Sequence, residues 1–93
     1  MIASFTCKRT EKLFTRKGNN RFPANIQERA LSKLLVLNAA TDLNDLRVPP
    51  SIHLEALIGD RKGQHSIRIN GQWRICFIWK NNEAHDVEIV DYH

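Results

Sequence analysis

Cysteine is scarce in this chain. There are two, Cys7 and Cys76, far apart and in no paired motif. That excludes a disulfide-stapled secreted scaffold, which carries several at regular spacing. Both thiols are therefore expected to be reduced, in a cytoplasmic protein. Four histidines, His53, His65, His85 and His93, show no ligand spacing for zinc, and no Cys-rich knuckle accompanies them. No metal and no cofactor are expected. The four glycines form no phosphate-cradling loop after a strand, and no nucleophile elbow is present. No apolar run approaches transmembrane length, and the start MIASFTCKRT lacks the apolar core of a signal peptide. A membrane partner is not expected.

Acidic residues are also in the minority. Lys and Arg number 14 against 10 Asp and Glu, giving a formal charge of +4 and a pI near 9.4. On so small a domain this favours anionic partners without choosing among nucleic acid, acidic protein and lipid surface. The 93 residues show no linker or repeat, so residues 1–93 read as one domain.

Helical signals occupy the first half. Residues 2–5 suit a short strand, and residues 10–14 suit a helical turn with Thr10 as N-cap. A second helix is predicted from Pro23, since proline fits the first helical position. Ile26, Ala30, Leu34 and Leu37 recur at helical spacing, with Leu31 and Leu35 widening the stripe. Arg29 and Lys33 fall away from its centre. The helix should end near Ala39 or Ala40. Residues 42–46 allow one more turn before Pro49 and Pro50 stop it. The second half alternates β-branched and aromatic runs with Gly/Asn turns, the signature of an antiparallel meander. Helices first and sheet second imply an α+β fold, with helices on one face of the sheet.

The hairpin around Asn70-Gly71 is constrained further. A two-residue loop would mix apolar and charged side chains on both faces. An odd loop puts Ile67, Ile69, Trp73, Ile75 and Phe77 on one face, and Arg68, Arg74 and Cys76 on the other. Burial of one face specifies register, so the odd loop is expected. It brings two arginines together, and adjacent like charges destabilise unless an anion lies between them. Guanidinium groups suit phosphate. Arg61 and Lys62, in the preceding turn, extend the basic surface or are simply solvated. Arg74, within the apolar run WRICFIW, needs a partner, and Glu88 and Asp91 are the candidates by sequence. Cys76 reads as packing and His65 as a sheet-edge residue. The chain closes on Asp91, Tyr92 and His93: a carboxylate, a ring able to stack on a nucleobase, and an imidazole able to move a proton near neutral pH.

The runs Gly59-Asp60-Arg61, Ser66-Ile67-Arg68-Ile69, Gln72-Trp73-Arg74-Ile75 and Val90-Asp91-Tyr92-His93 resemble HigB-type toxins of the RelE superfamily, also called plasmid maintenance system killer proteins. The start of the chain fits as well, so the resemblance spans its whole length. It implies a RelE-like fold, with N-terminal helices packed on a curved, mainly antiparallel sheet. It implies a ribosome-dependent endoribonuclease that cuts translated mRNA without a metal and arrests growth. It implies a HigA-like helix-turn-helix antitoxin as partner, with operator DNA bound only through that antitoxin. Arg68, Arg74, Asp91, Tyr92 and His93 match the catalytic positions, and Arg61 and Lys62 would contact RNA or the ribosome. Glu55 and Ile58 depart from relatives that carry histidine and lysine there. On the residues alone, a non-catalytic RNA- or ribosome-binding module and a protein-interaction subunit stay open. So does the choice of Asp91 or His93 as base or acid.

Overall fold

A computed structural model of the protein describes residues 1–91. Two helices, α1 (Lys8–Thr15) and α2 (Ala24–Ala39), precede four strands: β1 (Glu55–Ala56), β2 (His65–Arg68), β3 (Trp73–Lys80) and β4 (Glu83–Asp91). Short 3-10 turns at Leu43–Arg47 and Pro50–Ile52 join the two halves, and a third at Gly59–Arg61 joins β1 to β2. The strands form one antiparallel sheet in the order β1-β2-β3-β4. Helices cover one face of it. This is the α+β arrangement that the order of sequence signals implies, and it is consistent with a RelE-like fold.

In α2 the predicted stripe is the buried one: Ile26, Ala30, Leu34 and Leu37 are all inside. The wider stripe is not realised. Leu35 is 48% exposed, Leu31 is half-buried, and Val36 packs against the core instead. A single sheet beneath a helix accepts a narrow seam, and Leu35 lies beyond its edge. Pro23 stands one residue before the helix as its N-cap, with Ala24 as the first helical residue.

Thr10 is not a cap. Cys7 holds the N-cap position of α1, while Thr10 lies inside the helix and is fully buried. Its Oγ1 accepts a hydrogen bond of 3.0 Å from the backbone N–H of Ile89. The expected N-terminal strand is reduced to two isolated parallel bridges, Ile2 to Ala84 and Phe5 to Val87. Together these close the outer edge of β4. The N–H groups of Ala84 and Val87 donate to the carbonyls of Met1 and Ser4, that of Asp86 to Ser4 Oγ, and that of Ile89 to Thr10 Oγ1. An edge strand with these four donors engaged is protected from pairing with another chain. It also gives the end of β4 a fixed anchor.

The central hairpin has the odd loop. Arg68 pairs with Arg74 and Ile67 with Ile75, and the Ile69 N–H donates to the Trp73 carbonyl at 2.9 Å. Asn70 Oδ1 accepts from the N–H groups of both Gln72 and Trp73, which holds the turn. Ile67, Ile75 and Phe77 are fully buried against the helices. Each such side chain contributes about 1.5–3 kcal/mol by leaving water. A one-residue slip would exchange this set for Ser66, Arg68, Arg74 and Cys76, so the register is well determined.

Candidate functional site

The face of the sheet away from the helices carries the polar chemistry. Arg68 and Arg74 lie directly opposite each other there, as the odd loop requires. Arg74 is 9% exposed, a depth at which arginine needs partners. Its Nε donates to Ser66 Oγ and its Nη2 to the His53 carbonyl, both at 2.8 Å, and Glu55 Oε1 lies 3.5 Å from Nη2. The partners expected from sequence, Glu88 and Asp91, are not among these contacts. Register explains why: Val90 faces Arg74, whereas Glu88 faces Cys76 and is taken by Arg61 at 2.8 Å. Glu55 pairs across β1 with Ser66, which brings it diagonally beside Arg74.

Three holders of Arg74 were thus missed by the sequence reading. Ser66 was within reach, because the odd loop sets it one step from Arg74 on the same face. Glu55 and the His53 carbonyl depend on a two-residue strand and on the left-handed backbone of His53 (φ 51°), for which the sequence carries no pattern.

Arg61 sits between Glu88 and Gln64, whose Oε1 accepts from Nη1 at 3.1 Å. Its place in the turn rests on Gly59, which takes a left-handed φ of 67° that other residues rarely adopt. Lys62 is exposed. Asp91 ends β4 opposite Trp73, one position past the residue facing Arg74, and accepts from Gln72 Nε2 at 3.2 Å. Strand alternation therefore sets Asp91 out of step with the arginine pair. Tyr92 and His93 lie outside the described residues.

Cys76 is fully buried opposite Ser66 and Glu88. Burial raises its pKa, Glu88 adds to this, and Arg61 and Arg74 oppose it. The thiol stays protonated at neutral pH and serves packing rather than attack. Among the described residues no three His, Cys, Asp or Glu side chains converge as a metal-binding group. No helix there is long and apolar enough to cross a membrane.

His65 is not on an edge. Ala56 of β1 flanks it on one side and Phe77 of β3 on the other. Its ring stacks on Phe77 at 6.1 Å, and its Nδ1 is buried without a hydrogen-bond partner among the described residues. Burial, helped by the charge of Arg47, lowers its pKa from 6.5. Below that value the unfolded chain binds a proton that the folded one refuses, so stability falls with falling pH. The loss begins near 6.5 and is complete below the depressed folded value. Above 6.5 both states are neutral and His65 no longer affects the pH dependence. His65→Phe is expected to flatten this acid-side fall when urea midpoints are compared between about pH 7 and pH 5. An unchanged slope would assign the acid sensitivity to other groups.

A family model described as the RelE-like toxin of type II toxin–antitoxin system HigB matches residues 3–93. Toxin HigB-1 of Vibrio cholerae serotype O1 is 36% identical over 85 residues, 90% of each chain. Endoribonuclease HigB of Proteus vulgaris is 33% identical over 93 residues, the full length of both. An uncharacterized protein of Haemophilus influenzae is 35% identical over 69 residues, 74% of this chain and 68% of that one. A match across the whole sheet and both helices settles the family: the chain belongs to the RelE-like HigB toxins of type II toxin–antitoxin systems.

Proposed function

We propose that this toxin is an endoribonuclease that cuts translated mRNA on the ribosome and so arrests translation and growth. One observation carries the reading: Arg68 and Arg74 stand opposite each other on the helix-free face of the sheet. Like charges so placed are costly unless an anion joins them, and a phosphodiester fits two guanidinium forks. Glu55 partly neutralises Arg74 in the free protein and gives way when phosphate arrives.

The chemistry follows from the substrate. The 2′-oxygen of the RNA attacks the adjacent phosphorus and the bond from phosphorus to the 5′-oxygen breaks. This leaves a 2′,3′-cyclic phosphate and a 5′-hydroxyl. One group must take the proton of the 2′-hydroxyl and another must give one to the leaving oxygen. Asp91 and His93 fill these two roles, in an order left to experiment, and Tyr92 stacks on or orients the nucleotide. Asp91, out of step with the arginine pair and bonded to Gln72 in the free protein, must turn from that bond toward the phosphate when RNA binds. Arg68 and Arg74 stabilise the charge that builds on the phosphate. The ribosome contributes alignment of the strand, and Arg61 and Lys62 add to the basic surface that meets RNA. The proposed partner is a HigA-like helix-turn-helix antitoxin, through which alone the pair reaches operator DNA. The setting is the cytoplasm.

The test is primer extension on a translated message in a cell-free extract, with the purified toxin added. Cuts carrying 5′-hydroxyl ends that vanish when ribosomes are omitted are expected. Translational arrest without any cut would favour a non-catalytic ribosome-binding module instead.

A further inference from the structure

A second basic feature adjoins the arginine pair. A cleft of about 350 Å³ opens between α2 and the tip of the β2–β3 hairpin. Arg29 and Lys33 line it from the helix, His53 from the turn before β1, and Arg68 and Asn70 from the hairpin. Among the described residues no carboxylate lines it. Glu28, the acidic neighbour on α2, borders an adjoining groove that Arg29 and Lys33 also line. Among the described residues Arg29, Lys33 and Arg68 form no ion pair. Arg29 and Lys33 are four apart on one helix, a spacing that costs stability for like charges. Three cations from two distant segments, none in an ion pair among the described residues, therefore converge on one cleft. Asn70 Oδ1 is committed to the turn, which leaves its amide N–H donors to the cleft it lines. Arg68 belongs to both places, since it also faces Arg74 across the hairpin. A ligand matching both must carry negative charge at successive positions.

We propose that this cleft binds a phosphodiester of the RNA strand being cut, next to the one held between Arg68 and Arg74. The strand then runs from the helix-free face of the sheet over the hairpin tip to α2. The inference rests on the proposed RNA-cleaving function and names the path of its substrate.

The probe is a short single-stranded RNA with 2′-O-methyl groups, which binds but cannot be cut. Its anisotropy is followed over a salt series with the full-length toxin. For Arg29→Gln/Lys33→Gln, binding is expected to weaken about tenfold at 0.1 M salt, with the salt slope reduced by about 1.4 if each cation meets one phosphate. Glutamine is a good helix former, and thermal melting checks that the fold is kept. Glu28→Gln serves as control and is expected to leave binding unchanged or slightly tighter. Unchanged affinity and slope in the double variant would overturn the proposal. So would normal oligonucleotide binding combined with lost co-sedimentation with ribosomes, which would assign the cations to ribosomal RNA. Weakened binding only to an antitoxin would likewise overturn it. If wild type binds RNA through the cleft yet cuts no message, the cleavage reading fails while the cleft assignment stands.

Discussion

Replacing Arg74 by lysine is expected to lower RNA cleavage by about 10²–10³-fold, the loss seen when one preorganised donor to a developing anion is removed. Growth arrest should weaken in parallel, with the protein still folded. Ser66 Oγ and the His53 carbonyl fix the plane of the guanidinium from two sides. The Glu55 side chain is 53% exposed, whereas the side chain of Arg74 is 11% exposed. That contact, at 3.5 Å, is long and open to water, so a phosphate can exchange with it at little cost. Lysine keeps the positive charge for Glu55 but loses the planar fork and the fixed direction of its donors. Alanine would be a poorer choice, because it would strand the buried Ser66 hydroxyl at a cost of about 1–3 kcal/mol. Primer extension gives the rate and thermal melting the fold. Wild-type cleavage by a folded Arg74→Lys protein would make this arginine a structural element only.

The features legible in the sequence are those set by burial. The α2 seam follows from four apolar residues at helical spacing, and the hairpin register from keeping Ile67, Ile75 and Phe77 together. Once that register is known, Arg68 must face Arg74. What escaped are contacts between segments that no local pattern links. Thr10 near the start of a helix reads as a cap, yet its hydroxyl serves Ile89, 79 positions away. Glu55 reached Arg74 only because two exposed residues, Glu55 and Ala56, form the outer strand. That same strand flanks His65 and turns an expected edge residue into a half-buried one inside the sheet. Arg29 and Lys33 were visible as a charged pair off the core stripe, but their cleft needs the packing of α2 against the hairpin tip. Local sequence thus specified which side chains face inward, while the partners of the outward charges were decided by tertiary placement.

Ending the chain after Val90 is expected to abolish cleavage and growth arrest while β4 stays in place. Among the described residues the strand is anchored upstream of Asp91. Val87 is fully buried, Ile89 is 6% exposed, and the Ile89 N–H is held by Thr10. Val90 still pairs with Arg74. Among the described residues the truncation removes the pairing of Asp91 with Trp73 and its exposed bond to Gln72, a loss of about 1 kcal/mol. Removing the proposed proton-transfer groups, in contrast, should slow the reaction by about 10²–10⁴-fold each. Circular dichroism and a urea titration would check the fold, and primer extension the activity. Asp91→Asn and His93→Gln separate the two roles and guard against a truncation that fails to fold. Loss of the base should remove the acid limb of the pH–rate profile, and loss of the acid the alkaline limb. A truncated, folded protein that still cuts like wild type would move the proton chemistry elsewhere. Glu55 would then be the next carboxylate to test, because it already touches Arg74 on the face where the phosphate is proposed to sit.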